Sequence, residues 1–149
     1  MSNKIIIAAD HAGFEGKEKM KSVLDDIGVE YVDIGTNSSD SVDYPDFAAK
    51  AAEAVAKGEY EKGILFCGSG TGMAIAANKI HGARAAVAWS PEIAALSRQH
   101  NNANILALPA RFLTDEQAAK VVKAWFAADF EGGRHERRIE KITHLEEEN

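Results

Sequence analysis

Residues 63–72 read GILFCGSGTG, an apolar run followed by glycines at positions 68, 70 and 72. The apolar run predicts a buried strand over Gly63–Phe66, and the residues after it predict a helix over Gly70–Ile80. Glycine has no Cβ, so the backbone of such a loop can approach a ligand closely. The free N–H groups and the positive dipole end of the following helix favour negative charge there. The segment therefore predicts a strand, an anion-binding loop and a helix.

The same pattern, a short apolar run followed by a longer helical stretch, extends in both directions from this segment. The predicted strands are Lys4–Ala9, Glu30–Ile34, Gly63–Phe66, Arg84–Trp89 and Asn104–Leu108. The predicted helices are Phe14–Ile27, Pro45–Lys57, Gly70–Ile80, a helix opening at Pro91, a helix from Thr114 to Ala128, and Arg134–Glu148. Such alternation predicts one α/β domain over residues 1–149, a doubly wound (Rossmann-like) sheet of five parallel strands with helices on both faces. We expect the strand order 2-1-3-4-5 and a C-terminal helical arm.

Two of these helices carry explicit start signals in the sequence. Ser90 is a favourable N-cap, and Pro91 then occupies the first helical position, where its missing N–H has no cost. Thr114 and Gln117 have the spacing of a capping box. These signals fix where the helices after the fourth and fifth strands begin.

The expected position of a ligand follows from the strand order. Doubly wound sheets bind ligands at the carboxyl ends of their strands, at the point where the strand order reverses. For the order 2-1-3-4-5 this point lies between the first and third strands. The residues just past these strands are Asp10–His11 and Cys67–Gly72. We therefore expect the functional site where these two segments meet.

Cys67 is the single cysteine of the chain and lies in the glycine loop. A lone cysteine can be a small buried hydrophobe within a tight turn. Three glycines, two hydroxyl side chains and a helix start in one turn favour a functional interpretation instead, because a helix start stabilises a thiolate. A nucleotide P-loop would need Gly-Lys-Ser/Thr, and a cysteine phosphatase loop would need arginine in place of Met73. The dinucleotide fingerprint G-x-G-x-x-G would follow the first strand, not the third.

Asp10 and His11 follow the first predicted strand. Their position at the expected switch point favours ligand contact over a purely structural hydrogen-bonded pair. A metal site is not predicted here, because no second histidine, C-x-x-C pair or carboxylate cluster accompanies them.

His100, Asn101 and Asn102 form a second polar group, at the end of the fourth predicted helix. A histidine at a helix C-terminus can simply stabilise the dipole as a cation. The histidine and the two amides could equally hydrogen-bond the hydroxyls and ring oxygen of a sugar. The spacing leaves both interpretations open.

Arg134 and Arg138 concentrate positive charge in the last helical segment. They lie one helical turn apart on one face, which suits the two guanidinium groups to a phosphate dianion. The alternative is a solvated helix face paired with Glu136 and Glu140. Nucleic-acid binding is disfavoured because aromatic side chains are not interleaved with these charges.

The composition excludes several classes of function. The formal net charge of −6 argues against a surface that grips nucleic acid or anionic lipid. No apolar run approaches the roughly 20 residues that span a bilayer, and no secretory signal is apparent. Since a single cysteine cannot form an internal disulfide, we expect a cytoplasmic protein.

The residues resemble a known family along nearly the whole chain. The segments that carry the resemblance are Ala9–Phe14 (ADHAGF), Asp43–Pro45 (DYP), Gly63–Gly70 (GILFCGSG), Ile75–Lys79 (IAANK), Leu96–Asn101 (LSRQHN) and Glu131–His135 (EGGRH). In this order they resemble the type B ribose-5-phosphate isomerases, which are grouped with the galactose-6-phosphate isomerase subunits. Two positions depart from the pattern: Ser69 stands where many relatives have threonine, and Ala74 where several have serine.

The resemblance implies interconversion of ribose 5-phosphate and ribulose 5-phosphate without cofactor or metal. It implies that Cys67 is the base that moves the proton between C1 and C2, and that His100, assisted by Asp10, is the acid that opens the furanose ring. Backbone amides of Gly68, Ser69, Gly70, Thr71 and Gly72 would hold the enediolate oxygen, with Ser69 handling hydroxyl protons. His11, Arg111, Arg134 and Arg138 would hold the phosphate, and Asn101 would contact the sugar.

The same resemblance implies a homodimer or dimer of dimers whose sites combine residues of two subunits. Three other functions remain open on the sequence. A six-carbon substrate, allose 6-phosphate or galactose 6-phosphate, would use the same residues. A non-catalytic sensor of sugar phosphates would not need Cys67 paired with His100. A thiol-dependent redox enzyme is disfavoured because the chain has no resolving cysteine.

Overall fold

Five parallel strands form the centre of the computed structural model, which describes residues 4–148. The strands are β1 (Ile5–Ala9), β2 (Tyr31–Asp33), β3 (Gly63–Cys67), β4 (Ala85–Val87) and β5 (Ile105–Pro109). The helices are α1 (Phe14–Asp26), α2 (Tyr44–Ala56), α3 (Thr71–Ala77), α4 (Pro91–Gln99), α5 (Asp115–Ala127) and α6 (Arg134–Glu147). Each predicted element is present, with ends displaced by a few residues. The α/β fold with an all-parallel sheet is confirmed.

The strand order is β2-β1-β3-β5-β4, so the predicted order 2-1-3-4-5 was wrong for its last two strands. β5 is buried along its whole length and pairs with β3, whereas the three residues of β4 are only partly buried and pair with β5 alone. A strand that is apolar on both faces gains most from an interior position, and a short strand suits an edge. The exchange leaves the switch point between β1 and β3 unchanged.

Side chains of the central strands alternate between two apolar layers. Ile6, Leu65 and Ala107 face the layer completed by α2 and α3. Ile7 and Phe66 face the other layer, which α1, α4 and α5 cover. Full burial of one such large apolar side chain contributes roughly 1.5–3 kcal/mol, so the two layers hold the sheet rigidly. Helices on both faces are confirmed.

Both predicted helix starts are confirmed in atomic detail. The Ser90 hydroxyl accepts a hydrogen bond from the Ile93 N–H at 3.2 Å. Thr114 and Gln117 form the reciprocal capping box, with bonds of 3.1 and 2.9 Å. Each cap satisfies backbone donors that have no partner inside the helix.

The outer edge of β4 is closed by a side chain. Asn78 accepts a hydrogen bond from the Ala85 N–H at 2.8 Å and donates one to the Ala85 carbonyl at 3.0 Å. The amide group thus bonds to β4 as a neighbouring strand would.

The C-terminal helix α6 is confirmed as an arm along the surface. None of its residues is buried, and Ile142 and Leu145 are exposed. Its far end is attached to the domain by Glu146, whose carboxylate accepts a hydrogen bond from the Gly82 N–H at 2.6 Å. Among residues 4–148, no helix combines the length and the apolarity that crossing a membrane requires.

Candidate active site

The carboxyl ends of β1, β3 and β5 meet at one edge of the sheet. The Asp10 N–H donates to the Phe66 carbonyl at 3.2 Å, and the Ala110 N–H donates to the Cys67 carbonyl at 2.7 Å. Backbone hydrogen bonds therefore fix Asp10 and Cys67 beside each other, as predicted. Both side chains are buried, with exposed fractions of 6% and 5%.

Asp10 is held by the turn that leads into α1. Its carboxylate accepts a hydrogen bond from the Gly13 N–H at 2.8 Å. Gly13 passes so close to β3 that a Cβ atom there would lie 1.9 Å from the Phe66 carbonyl oxygen. Only glycine fits, and this close approach brings the first turn of α1 over the end of β3.

The glycine loop joins β3 to α3 with its backbone folded tightly. Gly70 has a positive φ of 82°, which is costly for residues with a side chain. The Thr71 N–H donates to the Ser69 hydroxyl at 3.3 Å, and the Arg111 N–H donates to the Gly68 carbonyl at 3.1 Å. Gly72 lies under the ring of Tyr44: a Cβ atom added to Gly72 would be 2.8 Å from the nearest ring carbon. The loop is thus locked from three directions.

His11 and Arg111 line one cleft of about 350 Å³ beside this loop. The His11 Nδ1 accepts a hydrogen bond from the Val42 N–H at 3.2 Å, so the loop before α2 orients the ring. The Arg111 side chain lies against Gly68, within 3.4 Å of an ideal Cβ position.

Polar side chains from α1, from the loop between β2 and α2, and from the start of α5 complete the lining of this cleft. They include Glu15, Lys19, Ser39 and Asp115, and Lys19 pairs with Asp115 at 3.5 Å. The cleft therefore offers both signs of charge, with two predicted phosphate ligands on one wall. Cys67 lies behind the loop and does not line it.

A buried charge network supports the neighbouring strand end. Lys17 is fully buried and bonds to Glu18 and Asp33, and Lys21 bonds to Asp33 at 2.9 Å. Burial opposes the charged form of Asp33, but the bonds from Lys17, Lys21 and the Gly35 N–H outweigh it and lower the pKa of this carboxyl. Gly35 in turn accepts a hydrogen bond from the Ala9 N–H at 2.7 Å, next to Asp10.

His100 lies at the other end of the sheet. It ends α4, and the chain then turns into the amino end of β5, since the Ala103 N–H bonds to Ser97 and β5 begins at Ile105. Cys67 is paired with Pro109, at the carboxyl end of the same strand. Four residue steps of β5, about 13 Å, separate the two ends.

Arg134, Arg138 and Asn101 lie at the same amino end as His100. Both arginines are near enough to His135 to lower its pKa, after the larger effects of burial and His100. His135 itself stacks on the His100 ring, with centroids 4.3 Å apart. Asn101 lines a hollow between β4 and α6.

The structure thus divides the predicted site residues into two groups. We name the first the carboxyl-end group: Asp10, His11, Gly68, Ser69, Gly70, Thr71, Gly72, Cys67 and Arg111. We name the second the amino-end group: His100, Asn101, Arg134 and Arg138. The residues of each group are close to one another, and the two groups are not brought together within one chain.

Three residues around these groups were not predicted as site residues. Tyr44 packs over Gly72, and Glu131 and His135 approach His100. Tyr44 and the pair Glu131–His135 fall in the DYP and EGGRH segments, whose unusual composition was the available signal. Their roles depend on packing between distant segments, which spacing along the chain does not reveal.

A doubly wound α/β sheet with a glycine loop and a cysteine at the end of its central strand defines a protein that binds a small anionic ligand at that edge. The chain belongs to the Ribose/Galactose Isomerase family, whose model matches residues 5–142.

Individual relatives are similar over almost their full length. The chain is 49% identical to ribose-5-phosphate isomerase B of Escherichia coli (strain K12) over 144 residues, 97% of each protein. The structure of ribose-5-phosphate isomerase B from Clostridium thermocellum is 47% identical with a TM-score of 0.95, covering 97% of this chain and 98% of that one. A third relative, ribose-5-phosphate isomerase B of Mycoplasma genitalium solved with bound ribulose-5-phosphate, is 45% identical with a TM-score of 0.93, covering 98% and 97%.

Proposed function

We propose that the chain is an aldose–ketose isomerase that interconverts D-ribose 5-phosphate and D-ribulose 5-phosphate through an enediolate, without a cofactor, as a step of the pentose phosphate pathway. The observation that carries the proposal is the similarity, over 98% of the chain, to a relative solved with bound ribulose-5-phosphate. The position of Cys67 at the carboxyl end of the central strand supports it, because isomerisation needs a base beside an oxyanion site.

The proton transfer is assigned to the carboxyl-end group. The Cys67 thiolate removes the proton from C2 of the open-chain aldose and returns it to C1, while the hydroxyl proton moves from O2 to O1. Backbone N–H groups of residues 68–72 stabilise the enediolate oxygen as charge develops, with the Ser69 hydroxyl handling the oxygen-bound protons. Asp10, oriented by its bond to the Gly13 N–H, faces the same edge.

Ring opening and part of the phosphate binding are assigned to the amino-end group. His100 protonates the ring oxygen of the furanose, assisted by Asp10. Arg134 and Arg138 hold the phosphate together with His11 and Arg111 of the carboxyl-end group, and Asn101 contacts the sugar. The phosphate is bound far from the reacting carbons, so these contacts serve mainly to hold the substrate in the site.

This assignment requires two subunits, because about 13 Å of β5 separates the two groups in one chain. We propose a homodimer, or a dimer of such dimers, in which the amino-end group of one subunit faces the carboxyl-end group of its partner. An exposed apolar surface supports the proposal: Trp89, Ile93 and Phe112 are each about half exposed, and the Trp89 and Phe112 rings lie 5.3 Å apart.

A mixing experiment tests the shared site directly. Cys67→Ala inactivates the carboxyl-end group and His100→Asn the amino-end group, so each homodimer should be inactive. A heterodimer of the two variants contains one site with both groups intact. Dissociation and reassembly of an equal mixture should recover about a quarter of the wild-type activity, because half the dimers are mixed and each has one working site. Activity that stays at the level of the two parents would contradict a site shared between subunits.

The substrate is tested with the purified protein in the presence of a chelator. We expect rapid conversion of ribose 5-phosphate and slower or no conversion of allose 6-phosphate and galactose 6-phosphate. Turnover of a six-carbon sugar alone would keep the mechanism and change the substrate. This outcome has to be tested because the family is named for both ribose and galactose isomerases. Tight binding without turnover of any of the three would instead indicate a sensor of sugar phosphates.

The proposed chemistry also sets the cellular location. Because a free thiol must act as the base, we propose that the protein works in a reducing cytoplasm.

A further inference from the structure

His100 of the amino-end group belongs to a cluster of potential metal ligands with Glu131 and His135, two residues to which the proposed reaction gives no role. The Glu131 carboxylate oxygen lies 3.7 Å from the Nε2 atom of His100 and 3.7 Å from the Nε2 atom of His135. One ligating atom of each of the three residues falls within 4.8 Å of the other two. We propose that His100, Glu131 and His135 form a binding site for a divalent transition-metal ion of the Zn²⁺ class, and that the bound ion inhibits the enzyme.

The backbone holds the three residues together independently of any ion. The Glu131 N–H donates a hydrogen bond to the Gln99 carbonyl at 3.0 Å, which fixes Glu131 beside His100. His135 follows Glu131 by four residues across the Gly132–Gly133 turn, and its N–H bonds to the Gly132 carbonyl at 3.1 Å. Two distant segments of the chain therefore present their ligands to one point.

The ligand set selects the class of ion. Two imidazole nitrogens and one carboxylate oxygen suit Zn²⁺, Cu²⁺ and Ni²⁺, whereas Mg²⁺ and Ca²⁺ prefer oxygen ligands alone. Tetrahedral ligands about 2.1 Å from zinc lie about 3.4 Å from one another, so the two 3.7 Å separations need to close by only a few tenths of an ångström. Three protein ligands leave the fourth position of a tetrahedron to water.

Two features of the cluster limit its affinity for a metal ion: the imidazole rings must rotate to bind one, and two arginines lie nearby. The rings of His100 and His135 are nearly parallel, 12° apart, so each must turn about its Cβ–Cγ bond for both lone pairs to point at one ion. Arg134 and Arg138 are close enough to affect His135 electrostatically, and their charge opposes a cation. We therefore expect micromolar affinity, as in regulatory or inhibitory sites, rather than the tighter binding of a structural zinc.

The inhibition rests on the proposed function, because it follows from the role given to His100. An Nε2 lone pair bound to a metal ion cannot exchange a proton with the ring oxygen of the sugar. Substrate ring opening should therefore stop while the ion is bound, and a chelator should restore it.

The binding itself is tested by calorimetric titration of Zn²⁺ into untagged, chelator-treated protein. We expect one ion per chain for the wild type. Glu131→Gln and His135→Asn should each weaken binding by more than the roughly 10–100-fold typical of a lost outer-shell partner, because each removes a ligand. Glu147→Gln is the matched control, since Glu147 also pairs with a histidine, His144 at 3.3 Å, but no third ligand joins them among residues 4–148. Unchanged affinity in Glu131→Gln and His135→Asn would overturn the site.

The thiol of Cys67 is the obvious competing zinc ligand, so Cys67→Ala completes the design. We expect this variant to bind Zn²⁺ like the wild type, although it is inactive. Loss of binding in Cys67→Ala with retention in Glu131→Gln would place the ion on the thiol and overturn the proposal.

Activity assays separate the site from the mechanism. Compared with its own rate in the absence of metal, Glu131→Gln should resist Zn²⁺ at concentrations that inhibit the wild type at least tenfold. Zinc that binds as proposed without slowing ring opening would contradict the role of His100 in the reaction and leave the metal site standing.

Discussion

The two ends of the sheet are built in different ways. At the carboxyl end, backbone hydrogen bonds and close glycine contacts fix Asp10 and Cys67, which are buried. At the amino end, the functional groups are long or partly exposed side chains such as His100 and Arg138, placed by the surface helix α6 and the end of α4. The first end is rigid before any ligand arrives, whereas in the proposed homodimer the second end is completed by a partner subunit. In the proposed reaction the proton transfer at carbon therefore falls to the rigid end, and ring opening to the adaptable one.

Among the variants that test this difference between the two ends, we expect the largest effect on activity from removing the proposed base, Cys67. Cys67→Ala should reduce kcat by at least about 1,000-fold while leaving the Kd for ribose 5-phosphate within about threefold, since the thiol acts in proton transfer rather than in binding. Stopped-time assays of ribulose formation and calorimetry measure the two quantities. A variant that turns over normally would remove Cys67 from the mechanism.

Gly13→Ala tests the rigidity of the carboxyl end. The new Cβ would overlap the Phe66 carbonyl, so the turn must move, and we expect a loss of about 3 kcal/mol in the free energy of unfolding. Gly28→Ala is the control. A Cβ added at Gly28 would meet no atom within 4 Å apart from its chain neighbours, so the variant suffers only the conformational strain of a φ of 74°, about 1 kcal/mol. Equal losses in the two variants, measured by urea denaturation, would show that crowding at Gly13 is unimportant.

Asp33→Asn tests the charged support of the same end. It leaves buried Lys17 with Glu18 as its remaining carboxylate, and we expect a loss of about 2 kcal/mol at neutral pH. Because folding lowers the pKa of Asp33, its stabilising contribution is present above the unfolded value of 3.8 and is lost as the pH falls through the folded value. Thermal melts from pH 7 down to pH 3 should therefore fall more steeply for the wild type than for the variant. If the melting temperatures of the two proteins fell in parallel with pH, ionisation of Asp33 would not be linked to folding.

Arg138→Ala should give the smallest effect, at the adaptable end. We expect KM for ribose 5-phosphate to rise about tenfold with kcat nearly unchanged, because loss of uniform phosphate binding appears in KM alone. Arg137→Ala, one position away on α6, is the matched control and should leave both constants unchanged. A tenfold fall in kcat for Arg138→Ala would mean that phosphate binding also orients the reacting carbons.

The sequence predicted the carboxyl end well because local rules determine it. Alternate glycines after Phe66, the lone cysteine and the Asp10–His11 pair each follow a strand end, and strand ends in a parallel sheet meet at one edge. The Ser90 and Thr114 caps are likewise local and were found in place.

The errors and omissions have the opposite origin. The exchange of β4 and β5 depends on which strand gains more from burial on both faces, a comparison between distant segments. Periodicity identifies each strand but not its neighbours. The approach of Glu131 and His135 to His100 likewise follows from the packing of the chain after α5 against the end of α4, and no motif spans that distance.

The amide of Asn78 bears on how readily the protein would aggregate at high concentration. An open edge strand offers unpaired N–H and C=O groups to any extended chain that meets it, which is a common route to fibrils. By occupying both polar groups of Ala85, Asn78 makes them inaccessible to such pairing at the start of β4. A single polar side chain thereby does at this edge what other proteins achieve with a covering loop or an additional strand.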